Sequence, residues 1–247
     1  MTLLDHPIIA QRYFFPRPAR VEAPWVVATG GERLVGMRRG AHGGATVLHF
    51  HGNGEVVTDW ADLAQALDEA GVDAFLGEYR GYGASSGRPA LGSMLDDALA
   101  TFDATEVEPS KMVVYGRSVG SIFALHVAAH RPVGGLVLES GIADVLERLA
   151  LRMRPEELGA DEATLRQAIA DKLDHQAKMA MTQCPVLVLH ARGDHLVDPS
   201  HAERNASWAG DRGELVLYDR GDHNSIFAYN GPQIVQRLVD FAMRATA

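Results

Sequence analysis

The sequence predicts an α/β protein built on a mostly parallel β-sheet with helices on both faces. Six short apolar runs are each followed by a turn, and most of them are continuous rather than alternating. Continuous apolar runs are typical of strands covered on both faces, as in a parallel sheet. Stretches with apolar residues at helical spacing fill the gaps, and this alternation implies right-handed crossovers between neighbouring strands.

The predicted strands follow in chain order from these runs. The six core strands lie within residues 45–54, 72–83, 111–120, 133–141, 184–194 and 214–223. Two earlier segments, "VEAPWVVAT" and "ERLVGMRR", are joined by a turn at Gly30 and Gly31. We expect them to form an antiparallel hairpin at the edge of the sheet, which gives eight strands in all.

Helices are predicted where apolar residues recur every three or four positions and form one stripe that can lie on the sheet. The four stripes are Val56, Trp60, Leu63 and Leu67; Leu95, Leu99 and Phe102; Ile122, Leu125 and Ala129; and Ile234, Leu238 and Phe241. A charged helical insertion at residues 144–181 interrupts the alternation and is too short for a core of its own. We predict a single domain over residues 1–247 with residues 144–181 as a small helical lid.

Composition excludes several classes of function. The formal charge is −9 and no basic block appears, which argues against nucleic-acid binding. No secretory signal and no apolar run of 18 residues is visible, so we expect no membrane span and a cytoplasmic location. Cys184 is the only cysteine, so no internal disulfide can form, and its apolar surroundings predict a buried thiol.

The stretch "MVVYGRSVGSIFALHVAAH" carries the first chemical signal. It runs from an apolar strand through Gly116-Arg117-Ser118-Val119-Gly120 directly into helical sequence. Flanking glycines permit a tight, strained turn, and the start of a helix offers free N–H groups to a developing negative charge. This is the pattern of a nucleophile elbow, so we predict that Ser118 is a nucleophile.

A nucleophilic serine needs a base and an acid that orients the base. The elbow pattern predicts the order Ser, Asp or Glu, His, with each residue on a loop after a strand. Asp194 follows the run "PVLVLHARG", and His223 follows the last run, "ELVLYDRGD". We therefore predict Asp194 as the orienting acid and His223 as the base.

Other acids compete with Asp194 in the sequence. Asp198 is better read as a cap for a helix that starts near Pro199. Asp222 adjoins the histidine and is badly placed to face it, while Glu139 and Asp144 follow an earlier strand and could supply an acid by another route. A metal site built from His190, Asp194, His195 and Asp198 is a further alternative, but no established ligand spacing supports it. We predict no metal and no cofactor.

The loop "HFHGNGE" ends one strand and opens a helix. Two backbone N–H groups are the usual stabilisers of a tetrahedral oxyanion, one from the residue after the nucleophile and one from an earlier loop. We assign these donors to Val119 and Asn53. The alternative is a turn at Asn53 that has no catalytic part.

The chain contains the motifs "HGNG", "YRGYGASSG", "YGRSVG", "LHARGDHLVDP" and "GDHN". Because of these motifs, it resembles the α/β-hydrolase superfamily from about Pro24 to the C-terminus. More narrowly they resemble small serine hydrolases with little lid, among them protein depalmitoylases and bacterial esterase-like members. In that group the loop with Arg80 and Tyr82 shapes the site, and we expect structural roles for both residues. Arg117, the residue before the serine, departs from the pattern of this group. The alternatives for its role are to brace the acid loop or to contact a carboxylate such as Glu139.

The resemblance implies an α/β-hydrolase fold and a serine hydrolase that cleaves an ester or thioester of a small-molecule or acylated substrate through an acyl-enzyme. The alternatives are a serine peptidase or amidase of the same fold, and a ligand-binding receptor or scaffold with a slow triad. The sequence leaves the acyl group, the leaving group and the oligomeric state open.

Overall fold

A computed structural model describes residues 2–247 and contains a single eight-stranded sheet within them. The strands are β1 (Pro24–Thr29), β2 (Glu32–Arg39), β3 (Thr46–Phe50), β4 (Asp73–Gly77), β5 (Met112–Arg117), β6 (Gly135–Glu139), β7 (Val186–Ala191) and β8 (Gly213–Tyr218). Their spatial order is β1-β2-β4-β3-β5-β6-β7-β8. β1 and β2 form an antiparallel hairpin at one edge, β2 is antiparallel to β4, and all other pairs are parallel. The predicted mostly parallel sheet and its edge hairpin are confirmed.

Nine α-helices lie in residues 2–247. They are α1 (Pro7–Tyr13), α2 (Ala61–Glu69), α3 (Leu91–Asp103), α4 (Gly120–His130), α5 (Val145–Ala150), α6 (Glu162–Leu173), α7 (His175–Met181), α8 (Ser200–Ala209) and α9 (Ile226–Ala245). The four helices predicted from apolar stripes appear as α2, α3, α4 and α9. α1 was not predicted; it starts with Pro7 in its first turn and is capped by the His6 ring, which accepts from the Ile8 N–H at 3.2 Å.

The two faces of the sheet carry separate apolar cores. Successive strand residues point to opposite faces, so Val47 packs in one cluster and Leu48 in the other. One cluster includes side chains of α2 and α9, and the other includes those of α1, α3, α4 and α8. Coverage on both faces explains why the core strands are continuous apolar runs.

The insertion at residues 144–181 is helical, as expected. It contains α5, a 3-10 helix (Pro155–Leu158), α6 and α7. α7 packs against α4 and α8, and Met179 is fully buried in the same cluster as the core helices of that face. Only the first part of the insertion borders the cleft above Ser118. The single domain and the role of the insertion as a lid stay predictions.

The parallel strands end side by side. Phe50 at the end of β3 lies opposite Gly116, and Arg117 at the end of β5 lies opposite Glu139. The loops that follow β3, β5, β7 and β8 therefore meet at one edge of the sheet, which is where ligands bind in folds of this type. None of the helices in residues 2–247 has the length and apolarity needed to span a membrane.

Candidate active site

Ser118 lies in a strained turn between β5 and α4. Its backbone φ is +51°, in the left-handed region that side-chain-bearing residues seldom adopt, and its N–H donates to the Glu139 carbonyl at 2.9 Å. A Cβ on Gly120 would collide with the carbonyl oxygen of Phe50, and a Cβ on Gly116 would lie 2.5 Å from the Gly120 carbonyl oxygen. Both glycines are therefore required for β3, β5 and α4 to approach closely enough to form this turn.

The three residues predicted from separate loops meet in one hydrogen-bonded line. His223 Nε2 lies 2.8 Å from Ser118 Oγ, and His223 Nδ1 lies 2.7 Å from Asp194 Oδ2. With its proton on Nδ1, the imidazole donates to Asp194 and its Nε2 accepts from the serine hydroxyl. The other carboxylate oxygen, Oδ1, accepts from the N–H groups of Leu196 at 2.9 Å and Val197 at 2.8 Å.

Asp194 is held as a carboxylate. Burial disfavours the charge, but the hydrogen bond from His223 and the N–H of Val197 hold the pKa of Asp194 below its usual value. His190 lies beneath it, with Nε2 2.8 Å from the Val197 carbonyl and 3.3 Å from Asp194 Oδ2. A buried, fully hydrogen-bonded carboxylate fixes the orientation of the imidazole.

The competing acids all have other partners. Asp198 Oδ1 accepts from the Ser200 N–H at 2.9 Å, at the start of α8, as expected. Asp222 accepts from the loop that follows it, and Asp144 caps α5 through the Glu147 N–H. Glu139 Oε2 accepts from the Tyr115 hydroxyl.

The metal alternative does not assemble. His190 binds a backbone carbonyl, and His195 and Asp198 are exposed on the loop. Across residues 2–247, no group of three or more His, Cys, Asp or Glu side chains has an arrangement that could hold a metal ion.

The two predicted oxyanion donors line the same cleft as Ser118. Within residues 2–247, neither the Asn53 N–H nor the Val119 N–H donates a hydrogen bond, so both are available to a ligand. The side chain of Asn53 is fixed by three contacts. Its Oδ1 accepts from the Tyr82 hydroxyl at 2.8 Å and the Phe15 N–H at 2.9 Å, and its amide donates to the Tyr13 carbonyl.

These contacts give Tyr82 a positioning role at the Asn53 loop. Arg80 lies further off and forms a bidentate ion pair with Asp97, at 2.5 and 2.7 Å. Neither side chain lines the cleft above Ser118. These contacts fit the expected structural roles, which stay predictions.

Arg117 braces the histidine loop rather than the acid loop. Its Nη2 donates to the His223 carbonyl at 2.6 Å, its Nη1 pairs with Glu55 Oε1, and its Nε lies 3.2 Å from Glu139 Oε1. Burial opposes the positive charge, but the carboxylates of Glu55 and Glu139 raise the pKa of Arg117. Glu55 Oε2 in turn accepts from the Gly52 N–H at 2.7 Å. One buried ion-pair network therefore ties the loop of the base to the loop of Asn53.

A second buried pair lies under the Asn53 loop. His51 Nε2 lies 2.6 Å from Glu78 Oε1, and His51 Nδ1 lies 2.7 Å from the Gly52 carbonyl. Burial disfavours the imidazolium, but the Glu78 carboxylate raises the pKa of His51. Sequence reasoning missed this pair because His51 follows β3 and Glu78 follows β4, 27 positions further along the chain.

The cleft above Ser118 has a volume of about 120 Å³. Sequence reasoning did not assign its walls, which come from the end of α1, the Asn53 loop, α5 and the Asp194 loop. The residues that line it are Tyr13, Phe15, Asn53, Glu55, Arg117, Ser118, Val119, Ile142, Arg148, Arg152, Leu196, Val197, His223 and Asn224. The floor is the serine and imidazole, and the rim carries two arginines from the helical insertion.

Comparison with known proteins gives matches along most of the chain. A family described as serine aminopeptidase, S33, matches residues 41–158. The uncharacterised protein YfhR of Escherichia coli K12 is 27% identical over 264 residues, which cover 97% of this chain and 89% of that protein. The human α/β hydrolase domain-containing protein 17B is 25% identical over 204 residues, 79% of this chain and 65% of that protein.

Solved structures share the fold at low sequence identity. The Pyrococcus furiosus esterase Pf2001 aligns with a TM-score of 0.72 at 16% identity, over 95% of this chain and 99% of that one. The esterase EaEST from Exiguobacterium antarcticum aligns with a TM-score of 0.70 at 18% identity, over 89% and 99%. At these identities the likeness establishes the architecture.

Fold and site together define an α/β protein with a serine at a nucleophile elbow and a histidine and an aspartate on later loops. The chain has the architecture of the α/β hydrolases, and its sequence is similar to members of that superfamily. The resemblance drawn from its motifs is confirmed at that level.

Proposed function

We propose that the protein is a serine hydrolase that cleaves carboxylic esters or thioesters through an acyl-enzyme. The observation that carries the proposal is the hydrogen-bonded line from Ser118 Oγ through His223 to Asp194, at 2.8 and 2.7 Å. Two unused backbone N–H groups border the same cleft, at Asn53 and Val119. A nucleophile, a base, an orienting acid and an oxyanion site are the parts that acyl transfer needs.

In the proposed mechanism, Ser118 Oγ attacks the carbonyl carbon while His223 Nε2 removes the hydroxyl proton. The Asn53 and Val119 N–H groups stabilise the oxyanion of the tetrahedral intermediate. The imidazolium then protonates the leaving group, and the acyl-enzyme forms. Water repeats the sequence with His223 as base, which releases the acid and restores the serine. Asp194 keeps the imidazole in the required tautomer throughout.

Ester cleavage is supported by the solved structures of similar fold, and thioester cleavage by the resemblance alone. Two of them are esterases and another, from Paleococcus ferrophilus, is a monoacylglycerol lipase. The proposed substrate is a small ester or an acylated molecule, and no cofactor takes part in the scheme. The cytoplasmic location and the lack of a nucleic-acid partner stay predictions from the sequence.

The proposal is tested with a fluorophosphonate probe and a series of p-nitrophenyl esters of increasing acyl length. We expect rapid labelling and turnover in the wild type. Ser118→Ala should abolish labelling and lower kcat by roughly 10⁴-fold or more, because one member of a triad is lost. Ser207→Ala is the matched control: Ser207 is exposed on α8, and its substitution should leave both readouts intact.

Two results would contradict ester hydrolysis by this site. Full esterase activity in a folded Ser118→Ala protein would remove Ser118 from the mechanism. A wild-type protein that neither labels nor turns over any ester would instead favour a ligand-binding role with an idle triad.

A second candidate is a serine peptidase or amidase. It is favoured by one observation, the match of residues 41–158 to the serine aminopeptidase family. A panel of aminoacyl p-nitroanilides separates the two reactions. Turnover of an anilide with a kcat/KM above that of the best ester would make amide cleavage the principal activity.

A further inference from the structure

Two arginines of the helical insertion line the cleft above Ser118 without an ion-pair partner. Arg148 lies on α5 and Arg152 lies in the turn just after it, and both line the cleft. Within residues 2–247, neither guanidinium donates a hydrogen bond or lies within 4.0 Å of a carboxylate. The third arginine of the cleft, Arg117, pairs with Glu55 and Glu139 and donates to the His223 carbonyl.

Two carboxylates close to the pair, Glu55 and Glu157, are bound to other groups. Glu55 is the one carboxylate among the lining residues of the described chain, and it is bound to Arg117, the Gly52 N–H and the Trp60 indole. Glu157, on the 3-10 helix after Arg152, binds Arg12 through both oxygens at 2.8 Å. The rim of the cleft thus keeps a local charge of about +2, although the whole chain has a formal charge of −9.

Arg152 is also held in place. Arg12 donates to the Arg152 carbonyl at 3.4 Å while it pairs with Glu157, which ties α1 to the insertion. The Arg152 guanidinium lies over the Phe15 ring, with Cζ 5.1 Å from the ring centroid. A guanidinium that stacks on an aromatic face keeps its N–H edges free, and those edges match the two oxygens of a carboxylate or phosphate.

The rest of the cleft is small and partly apolar. Its volume of about 120 Å³ is below the roughly 150 Å³ of an engineered cavity that holds benzene. Ile142, Leu196 and Val197 supply apolar wall around the serine. A short carbon chain that ends in an anionic group fits these walls better than a long neutral acyl chain.

We propose that Arg148 and Arg152 bind an anionic group of the substrate, so that the favoured ester or thioester is short and carries a carboxylate or phosphate. The inference rests on the proposed serine hydrolase activity, since it assigns specificity to that site. The negative charge can belong to the acyl group or to the leaving group, and the same two guanidinium groups would recognise either.

Matched pairs of esters that differ only in charge test the proposal. Monoethyl glutarate against ethyl glutaramate places the charge on the acyl side, with ethanol release as the readout. The butyrate ester of 4-hydroxybenzoate against that of 4-hydroxybenzamide places it on the leaving group, with phenol release as the readout. In at least one pair, we expect the anionic member to have the higher kcat/KM by roughly 10- to 100-fold, the range for charge-assisted hydrogen bonds.

Variants locate the source of the preference. The double variant Arg148→Gln/Arg152→Gln should bring the anionic-to-neutral ratio of kcat/KM close to one. Arg166→Gln is the matched control: it removes the same charge from the same insertion, but Arg166 pairs with Glu162 on exposed α6 and should keep the wild-type ratio. The preference of the wild type should also weaken as salt is added, because the rim is partly exposed.

Binding without turnover separates this inference from the proposed function. Titration of Ser118→Ala with monoethyl glutarate and ethyl glutaramate, and with the two butyrates, measures the same ratio as a ratio of Kd values. Equal affinity within both pairs, or a preference that survives in the double variant, would overturn the assignment of Arg148 and Arg152. A clear preference in binding to Ser118→Ala, together with no hydrolysis of any ester by the wild type, would support the assignment of Arg148 and Arg152 and reject the proposed hydrolase activity.

Discussion

Two groups of buried ionisable side chains lie near opposite ends of α4, and they differ in whether the charges have partners. Before the helix, Arg117 meets Glu55, Glu139 and the His223 carbonyl. Near its other end, Lys178 on α7 is buried close to His126, and within residues 2–247 its Nζ has no hydrogen-bond partner.

The pKa values of the two groups move in opposite directions. At Arg117 burial opposes the charge, but the two glutamates raise its pKa. At Lys178 burial lowers the pKa to about 7, with a smaller effect of Lys172, and burial lowers the pKa of His126 to about 3 and of His175 to about 4. Burial alone therefore does not decide whether a side chain stays charged. The partners within hydrogen-bonding or ion-pairing distance decide it.

The largest expected effect is the loss of Arg117. Arg117→Gln leaves the buried Glu139 and the half-buried Glu55 without their cation, which should lower the free energy of unfolding by about 3–5 kcal/mol. It also removes the donor to the His223 carbonyl, so kcat of the remaining folded protein should fall. Urea unfolding and ester turnover measure the two effects.

Arg131 provides the control for this substitution. It pairs with Asp103 on the surface at 2.7 Å, and Arg131→Gln should cost no more than about 1 kcal/mol. Equal losses for the two variants would show that the buried network at Arg117 contributes no more than a surface pair.

The next largest effect is a gain in the free energy of unfolding rather than a loss. Lys178→Met should raise the free energy of unfolding at pH 7 by about 2–4 kcal/mol, because the folded protein no longer has to bury an amine that is protonated when unfolded. The pKa of Lys178 is lowered from its usual 10.5 to about 7. Between these two values the unfolded chain binds the extra proton, so this residue makes wild-type stability rise with pH.

Thermal unfolding between pH 6 and pH 10 measures how the stabilisation by Lys178→Met depends on pH. The gain from Lys178→Met should be largest at or below pH 7 and should shrink toward pH 10, because protonation of the unfolded-state amine becomes less favourable as the pH approaches its usual pKa of 10.5. Lys111→Met is the control, because the exposed Lys111 amine donates to the Gly43 carbonyl and does not act on Lys178. A gain that does not change with pH would mean that packing, and not the charge, accounts for the stabilisation.

The smallest effect is expected for Glu139→Gln. The amide keeps the shape of the side chain and an oxygen that can accept from the Tyr115 hydroxyl, and Arg117 keeps Glu55 as a partner. We expect a loss of about 1 kcal/mol in urea unfolding, with His223 still braced and turnover close to wild type. Glu139→Leu should cost clearly more, since it leaves buried donors unpaired; equal costs would show that Glu139 acts only by filling space.

Much of the fold and the centre of the site could be predicted from the sequence. The continuous apolar runs, the glycines around Ser118 and the order of Ser118, Asp194 and His223 are local signals, and the structure brings those three residues together. The hairpin at Gly30 and Gly31 is equally local.

Other parts of the site had no local signal. The sequence does not predict α1, because its seven residues carry too short an apolar pattern. Tyr13 at the end of α1 and Phe15 just after it nevertheless form one wall of the cleft. The contact between Arg117 and the His223 carbonyl joins residues 106 positions apart, so sequence could suggest Glu139 as a partner but could not identify the loop that Arg117 braces.

The sequence by itself determined the strand and helix pattern and the strained turn at Ser118, because backbone preferences and glycine spacing act between neighbouring residues. Tertiary structure decided which charges are paired. The same residue type is neutralised at Arg117 and left free at Arg148 and Arg152, since pairing depends on which side chains the packed loops bring within a few ångströms. Pairing therefore distinguishes the two parts of the site: the paired Arg117 holds the loop of His223, and the unpaired Arg148 and Arg152 form the cationic rim.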